Sequence, residues 1–441
     1  MDEKAAQLQE KIRQLFDFEP YPSVPIDQSA NEVGLLYLHN LVNAYYFRNQ
    51  KVINPANKII LDIGCGTGYK ALVLAQANPG SKVIGIDISE KSVELARQRF
   101  KYHGVENGEF HQIAIDALPN LGLEFDYINC DEVLYLVPEP ISALKALKSV
   151  LKPDGIIRGN FHSSVERFYY FCAQEVFSIL GLMDNSPEEM EIGMVIETMK
   201  ALKDGVGIKS KTWTSIYDTE ERKKDVLMNY LLQGDKGYTV GELFAALRAA
   251  DLEFISMVNW WQWNLMDLFK EPDNLPIFLA MGLPQTSMEE RLRLFELLHP
   301  IHRLLDFWCG HPNQGEPYVP VTEWTLADWQ NLKVHLHPQL RTLETKAELV
   351  KCITQLQPFE ISKRLPLIGQ ASSVDSTVAA CLLPLWESAQ RMPSLVARWH
   401  ALRPVHLLSG EPTTEQEAFD TVKQVLTGLE RLGYVLLERL L

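Results

Sequence analysis

The strongest constraint on the fold of this chain is a glycine-rich turn that comes directly after a short apolar run. Lys58-Ile59-Ile60-Leu61 has the pattern of a buried strand, and Asp62-Ile63-Gly64-Cys65-Gly66-Thr67-Gly68 follows it at once. Glycine has no Cβ, so Gly64 and Gly66 let the backbone take positive φ and lie against a ligand, while Gly68 lets the next helix pack closely. A strand, a glycine turn and a helix in this order predict an α/β domain with a ligand site at the turn.

The spacing of the glycines argues against a dinucleotide site. The dinucleotide fingerprint G-x-G-x-x-G would need glycine at position 69, where this chain has Tyr69. The carboxylate of Asp62 at the start of the turn also disfavours a pyrophosphate, because like charges repel. We therefore expect a ligand that carries a cationic group.

Three further strand patterns follow at regular intervals. The run from Lys82 ends in the acidic Asp87, about twenty residues past the glycines, where a carboxylate can accept both hydroxyls of a ribose. Glu109 to Ile115 precedes Asp116, which is placed to meet an adenine amino group. Phe125 to Cys130 runs into Asp131-Glu132. The pattern predicts that acidic side chains gather at one edge of a parallel sheet.

These segments resemble the class I S-adenosylmethionine-dependent methyltransferases through the DIGCGTG turn, the IGIDIS acid, the IAIDA segment and the Leu151-Lys152-Pro153-Asp154-Gly155 turn before a fifth strand. The resemblance implies an α/β fold with a doubly wound seven-stranded sheet and S-adenosylmethionine as the cofactor. We predict that the cofactor contacts are Tyr21, Asp62, Gly64, Cys65, Gly66, Gly68, Asp87, Ile88, Asp116, Ala117 and Asp131.

Length and charge limit the remaining functional classes. A chain of 441 residues is too long for one ordinary core and suggests two or three domains. The net charge of −15 disfavours nucleic acid as a partner, because binding to phosphates depends on Lys and Arg. No apolar run approaches the roughly 20 residues that cross a bilayer. The six cysteines are scattered, as in a reduced protein, so we expect a cytoplasmic protein with no membrane partner.

We predict three regions along the chain: an N-terminal helical arm over residues 1–50, a cofactor-binding domain over 51–284, and a smaller, mainly helical C-terminal domain over 285–441. Residues 184–236 are charged and weakly periodic, which indicates a mostly helical insertion. Leu252 to Val258 has the pattern of a sixth strand, and Pro276 to Met281 that of a seventh, antiparallel strand. The apolar face of the closing helix predicts either the core of the C-terminal domain or a homodimer contact.

The arm ends in a proline-rich segment, Pro20-Tyr21-Pro22-Ser23-Val24-Pro25, which imposes an extended backbone. In many class I methyltransferases such an arm covers the cofactor, so Tyr21 is a candidate contact. The alternative is that Tyr21 only packs the arm onto the domain. The sequence leaves both interpretations open.

Methyl transfer from a sulfonium is an in-line displacement, so the protein mainly aligns the reactants and excludes water. A hydroxyl or ammonium acceptor must also lose a proton. We predict Glu132, Tyr135 and His162 as catalytic residues, because they follow strands four and five on the ligand side of the sheet. For His162 the alternative is a structural hydrogen bond at the start of the next helix.

Two other clusters have a structural and a functional interpretation. Trp260-Trp261-Gln262-Trp263 is suited either to the wall of a substrate pocket or to core packing. Cys309-Gly310-His311 and His335-Leu336-His337 lack paired metal-ligand spacings, so we predict no metal site.

The resulting hypothesis is a methyltransferase that acts on an O, N or C nucleophile of a small-molecule acceptor. An alternative acceptor is a protein side chain, a lysine, because the C-terminal extension resembles the layout of bacterial methyltransferases with a regulatory domain. A third hypothesis is a cofactor-binding regulator without turnover. The glycine turn alone does not separate binding from catalysis.

Overall fold

The computed structural model of this chain describes residues 3–18, 20–219, 222–316, 318–365, 372–406 and 409–440. They divide into two compact units. The first comprises residues 1–29, 57–75 and 81–314, and the second comprises residues 30–56, 76–80 and 315–441. This division differs from the predicted domains, because residues 30–56 group with the C-terminal region and the first unit continues thirty residues past position 284.

The strands are, in chain order, β1 (Ile59–Ile63), β2 (Lys82–Asp87), β3 (Gly108–Gln112), β4 (Phe125–Cys130), β5 (Leu151–Ser163), β6 (Gly237–Tyr238), β7 (Glu253–Met257), β8 (Leu304–Gly310), β9 (Leu332–Leu336), β10 (Gln390–Arg391) and β11 (Val435–Arg439). The α-helices are α1 (Glu3–Phe18), α2 (Val33–Leu38), α3 (Leu41–Asn49), α4 (Tyr69–Ala77), α5 (Glu90–Tyr102), α6 (Pro140–Ser149), α7 (Phe168–Ile179), α8 (Glu189–Ala201), α9 (Gly207–Thr212), α10 (Lys223–Tyr230), α11 (Val240–Ala249), α12 (Ile277–Gly282), α13 (Met288–Leu298), α14 (Leu326–Gln330), α15 (Leu343–Thr354), α16 (Ser376–Leu382), α17 (Met392–Leu402) and α18 (Glu415–Arg431).

The first unit is built on one large sheet. Its strand order is β3-β2-β1-β4-β5-β8-β7, and the short strand β6 pairs with the end of β5. Strands β1 to β5 are parallel, whereas β8 runs antiparallel to both of its neighbours, β5 and β7. The central strands are apolar along nearly their whole length because helices cover both faces of such a sheet. The predicted doubly wound, seven-stranded sheet is confirmed.

Local sequence signals explain where the helices of this unit begin. The side chain of Ser89 accepts from the backbone N–H of Ser92 and caps α5. Thr239 with Glu242, and Ser287 with Glu290, form complete capping boxes at the starts of α11 and α13. Each box satisfies two backbone donors that would otherwise lack partners. The predicted insertion contains α8, α9 and α10.

The predicted seventh strand at 276–281 is wrong. That segment forms helix α12, on which Ile277, Phe278 and Met281 are each more than 70% exposed. The antiparallel strand is instead β8, where Leu305, Phe307 and the next two residues are fully buried. Short apolar runs do not distinguish helix from strand by periodicity. The place between β5 and β7 in the sheet is taken by β8, which has buried side chains on both faces of the sheet.

The second unit contains a three-stranded antiparallel sheet with the order β10-β9-β11. Its last helix, α18, ends before Gly433, which has φ +74°, and the chain then enters β11. The C-terminal segment is therefore a helix followed by a strand. Buried Glu430 accepts hydrogen bonds from the hydroxyls of Tyr46 (2.9 Å) and Tyr318 (3.1 Å), which fixes α18 within this unit.

Among the helices of the described ranges, none has the length and apolarity that a membrane span requires.

Candidate functional site

A cavity of about 600 Å³ lies in the first unit, at the carboxyl ends of β1, β2 and β4. The strands and their following loops supply one side of it, and α1, the arm after α1, α6 and α10 supply the rest. It is lined by Gln9, Ile12, Phe16, Tyr21, Pro22, Asp62, Ile63, Gly64, Cys65, Gly66, Lys70, Ile86, Asp87, Ile88, Ser92, Ile113, Ile115, Asp116, Asp131, Glu132, Val133, Tyr135, Leu136, Val137, Pro138, Glu139, Ser142, Ala143, Ala146 and Met228.

The glycine turn forms part of the cavity wall and requires glycine for steric reasons. Gly64 and Gly66 have φ of +62° and +51°, a region that costs other L-residues about 1–2 kcal/mol. A Cβ on Gly66 would lie 2.0 Å from the carbonyl oxygen of Tyr21, and one on Gly64 would lie 2.6 Å from Val133. The backbone of the turn is thus packed against its neighbours at the edge of the cavity.

The proline-rich arm is fastened to this turn by hydrogen bonds. The N–H of Thr67 donates to the carbonyl of Tyr21 at 3.1 Å. The guanidinium of buried Arg99 donates to the carbonyls of Thr67 (2.9 Å), Val24 (2.7 Å) and Pro25 (2.7 Å). Arg99 therefore links the arm to the glycine turn through hydrogen bonds to both. Tyr21 lines the cavity, so its ring is available to a ligand as well as to the packing of the arm.

Asp62 presents an unsatisfied carboxylate oxygen to the cavity. It is 2% exposed, and its Oδ1 accepts from Asn129 Nδ2 at 2.8 Å. No described residue donates to its Oδ2, and Asn129 Oδ1 likewise has no donor among the described residues. Burial raises the pKa of Asp62 to about 7, although the hydrogen bond from Asn129 opposes the shift. An amine bound in the cavity beside Asp62 would give its Oδ2 the donor that it lacks.

Asp87 lies at the end of β2, where its carboxylate accepts from the N–H groups of Gly66 (2.9 Å) and Ser89 (2.8 Å). Burial raises its pKa, and these two N–H donors oppose the shift. Each carboxylate oxygen can accept a further hydrogen bond. Ile88 and exposed Asp116 line the cavity beyond it, on the side toward β3.

All the predicted cofactor residues except Gly68 and Ala117 line the cavity. A Cβ on Gly68 would lie 2.7 Å from Ala96, so this glycine allows α5 to pack against the turn. The N–H of Ala117 donates to the carbonyl of Ala114 at 3.0 Å inside a short 3₁₀ helix. These two residues support the site from outside the cavity wall.

Asp131 belongs to a buried network of charges. Its carboxylate pairs with Lys70, accepts from Asn160 Nδ2 at 2.6 Å and lies 3.8 Å from the guanidinium of Arg158. Arg158 also makes a bidentate ion pair with Asp306, with distances of 3.1 and 2.7 Å. Such pairing keeps buried charges tolerable. Asp131 lines the cavity, yet its oxygens are already engaged by protein donors.

The three predicted catalytic residues divide into two kinds. Glu132 and Tyr135 line the cavity, whereas His162 does not. His162 is 2% exposed, its ring stacks on Tyr135 at 3.7 Å, and its nitrogens contact Asp235 and Arg303. Burial lowers its pKa, and Asp235 opposes the shift. The catalytic role predicted for His162 does not fit this geometry, because both ring nitrogens are engaged with protein.

The tryptophan cluster contributes to packing, and His335 and His337 contact polar side chains, Glu438 at 3.0 Å and Asn43 at 3.1 Å. Trp263 stacks on His302 at 4.3 Å and packs on Phe295, and the cluster does not contribute to the cavity wall. His311 contacts the carbonyl of Leu151 at 3.1 Å. In the part of the chain that the structure describes, no three His, Cys, Asp or Glu side chains gather in a way that could hold a metal ion.

Sequence reasoning missed several residues of this site. Asn129 and Asn160 are buried amides that orient Asp62 and Asp131, and polar residues inside otherwise apolar strands were the available signal. Lys70 lies two residues after the glycine turn. Arg303 and Met228 come from distant segments, and no local pattern marks them.

The donors and acceptors at the cavity fit S-adenosylmethionine. Asp62 lines the cavity and its Oδ2 lacks a donor among the described residues, so it can accept from a cationic amine. The glycine turn leaves its backbone without Cβ atoms, and Asp87 can accept ribose hydroxyls. Ile88 and its apolar neighbours offer flat contact for a base. The fit rests on an unsatisfied buried carboxylate oxygen that lines the cavity.

Comparisons with known proteins agree with this fit. The sequence model of a methyltransferase domain matches residues 54–220. A ubiquinone biosynthesis O-methyltransferase of Stutzerimonas stutzeri is 30% identical over 193 residues, which cover 41% of this chain and 79% of that enzyme. A Synechococcus protein without an assigned function is 26% identical over 318 residues, or 71% of this chain and 73% of its own.

Other ubiquinone biosynthesis O-methyltransferases match over about half of their length, for example 56% of that from Actinobacillus pleuropneumoniae. The solved structure of PKMT2 from Rickettsia typhi in complex with AdoHcy covers 95% of this chain and 77% of its own, with a TM-score of 0.59 and 18% identity. This likeness concerns the fold. With its sheet order and its glycine turn, the chain belongs to the class I S-adenosylmethionine-dependent methyltransferases.

Proposed function

We propose that this methyltransferase transfers the methyl group of S-adenosylmethionine to a small-molecule acceptor inside the cavity. The observation that carries the proposal is that one continuous cavity of about 600 Å³ holds both the glycine turn and the predicted acceptor-facing residues. Its volume falls within the range of roughly 300–1,000 Å³ that is usual for small-molecule sites. Side chains of α1, the arm and α10 line it together with the loops that follow the strands.

The chain's own residues hold and orient the reactants. Asp62 takes the cationic amine of the cofactor, Asp87 takes the ribose hydroxyls, and Asp116 with Ile88 takes the adenine. When bound, S-adenosylmethionine supplies a methyl group on an electrophilic sulfonium. Tyr21, Glu132 and Tyr135, which also line the cavity, orient the acceptor and exclude water, which is the main requirement of an in-line displacement.

A second candidate acceptor is the side chain of a protein lysine. It is favoured by the chemistry of the lining, which includes the carboxylate of Glu132 and the aromatic residues Tyr21 and Tyr135. Aromatic faces and a carboxylate suit an ammonium group. For this acceptor the chain of a partner protein would have to deliver its lysine past α1 and the arm.

Two measurements test these proposals. Calorimetric titration with S-adenosylhomocysteine (AdoHcy) should show binding to the wild type and a loss of binding in Asp87→Ala, whereas persistent binding in this variant would contradict the site assignment. Incubation with methyl-labelled S-adenosylmethionine and a cell lysate then separates the acceptors. Label in the small-molecule fraction supports the first candidate, and label in the protein fraction supports the second.

A further inference from the structure

Glu132 holds an unusual backbone conformation at the cavity wall. Its φ is +61°, in the left-handed region that residues other than glycine rarely adopt. The side-chain oxygen of Asn160 accepts from its N–H at 2.8 Å, and this bond holds the loop after β4 in place. Strain of this kind persists only where the surroundings enforce it. Here it places the carboxylate of Glu132 on the cavity wall.

A chain of polar side chains leads from Glu132 into the protein. The guanidinium of Arg303 pairs with Glu132 Oε1 and contacts His162 Nε2 at 3.0 Å. On the other side of the ring, His162 Nδ1 lies 2.5 Å from Asp235 Oδ1. Arginine can only donate, so Nε2 must accept and the ring proton must reside on Nδ1, where it is donated to Asp235. The contacts thus fix one neutral tautomer of His162.

Asp235 is itself held rigidly. Its side chain is fully buried, and its Oδ2 accepts from Gln174 Nε2 at 2.9 Å and from Arg167 at 3.4 Å. Because both groups at Oδ2 are donors, this position requires an acceptor oxygen. Asp235 comes from the inserted region of the chain, so the insertion supports the site from outside the cavity wall.

Strand register brings these groups together. His162 near the end of β5 is paired with Leu304 of β8 on one side and with Gly237 of β6 on the other. Arg303 directly precedes β8, and its carbonyl accepts from the N–H of Ser163 at 2.9 Å. Asp235 lies two residues before β6 and Arg303 directly before β8, so the pairing of both strands with β5 brings the anion and the cation to the imidazole.

We propose that Asp235, His162 and Arg303 are positioning residues that hold the carboxylate of Glu132 toward the acceptor. This inference rests on the proposed function and adds to it the role of three residues outside the cavity wall. The neutral His162 tautomer presents Nε2 as an acceptor and so keeps the cation of Arg303 on Glu132. The same ring supports Tyr135 by stacking, with a centroid distance of 3.7 Å.

The substitution Asp235→Asn tests this row of polar contacts, because the asparagine side chain has almost the same shape as the aspartate. Since Gln174 and Arg167 require an oxygen at the Oδ2 position, the amide of the variant must turn its NH₂ toward His162 Nδ1. That nitrogen must then accept, the proton moves to Nε2, and Arg303 loses its acceptor. We expect ¹⁵N NMR to show a protonated Nδ1 in the wild type and a protonated Nε2 in the variant.

The same variant should bind AdoHcy as the wild type does, because none of the residues assigned to the cofactor changes. We expect its rate of label transfer from S-adenosylmethionine into the lysate to fall on the order of 10²-fold, as small misplacements of reacting groups do. Glu296→Gln is the matched control, a buried carboxylate of the same unit that accepts from the N–H of Val240. It should keep the wild-type rate and the wild-type His162 tautomer.

Arg303→Met and Arg303→Lys provide the second test, which stands even if Asp235→Asn does not fold. The methionine variant should lose transfer and keep AdoHcy binding, and the lysine variant should recover part of the rate. A protonated Nε2 in the wild-type protein, or wild-type rates in folded Asp235→Asn and Arg303→Met, would overturn the positioning role. Absence of AdoHcy binding to the wild type would instead contradict the proposed function, so the two failures are distinguishable.

Discussion

The unsatisfied carboxylate of Asp62 should make the ligand-free protein less stable at neutral pH than its isosteric variant Asp62→Asn. Burial raises the pKa of Asp62 to about 7 in the folded chain, against about 3.9 in an unfolded chain. At about 1.36 kcal/mol per unit, the difference of roughly three units corresponds to about 4 kcal/mol. The variant keeps an oxygen that can accept from Asn129 and replaces the other, ionisable oxygen by an uncharged NH₂ group.

The sign of the pH dependence follows from proton binding. Between these two pKa values the folded state holds a proton that the unfolded state has released, so wild-type stability falls as pH rises from about 4 to about 7 and stays lower above it. From pH 5 to pH 8 the stability advantage of Asp62→Asn over the wild type should grow by about 2–3 kcal/mol. When a cationic amine binds at Asp62, the wild type should become the more stable of the two proteins, because the amine stabilises the ionised carboxylate.

Urea unfolding of both ligand-free proteins at pH 5 and pH 8 measures how their stability difference depends on pH. Titration of both proteins with AdoHcy at pH 8 measures the contribution of the ionised carboxylate to binding. We expect Asp62→Asn to be the more stable protein and the weaker binder by at least about tenfold, or 1.4 kcal/mol. Asp116→Asn, which removes an exposed carboxylate of the same cavity, is the control for the urea unfolding measurements. The reasoning is refuted if the stability difference between wild type and Asp62→Asn is the same at both pH values.

Three further predictions concern other parts of the chain. Gly66→Ala places a Cβ 2.0 Å from the carbonyl oxygen of Tyr21 and adds about 1–2 kcal/mol of backbone strain, so thermal stability and AdoHcy affinity should both fall. Gly241→Ala, within α11, where a Cβ would lie 3.9 Å from the hydroxyl oxygen of Thr239, should lower neither. Arg99→Met removes charged hydrogen bonds to three carbonyls and should lower the free energy of unfolding in urea by at least about 2 kcal/mol. Limited proteolysis should then cut the proline-rich arm of the variant, and an arm that stays uncut would contradict the role of Arg99 in holding it. Glu430→Leu leaves two tyrosine hydroxyls of the second unit without their acceptor and should lower its unfolding free energy by about 2–4 kcal/mol, which an unchanged urea midpoint would disprove.

Local patterns predicted much of the candidate site. Asp62, the glycines and Asp87 follow strand patterns at fixed spacings, and parallel strands bring their carboxyl ends to one edge of the sheet. The prediction of the antiparallel strand failed because an exposed apolar run at 276–281 has the same composition as a buried strand. In this case only the neighbours of a segment decide whether its apolar side chains are covered.

The sequence by itself determined the family, the order of the first five strands and the acidic edge of the cavity, because each depends on residues close together in the chain. The tertiary structure decided which side chains complete that edge. Arg303, His162 and Asp235 meet through the pairing of β5 with β6 and β8, over separations of 73 and 141 residues. It also decided that His162 is enclosed by protein, since burial and hydrogen-bond partners are properties of packing that no local spacing encodes.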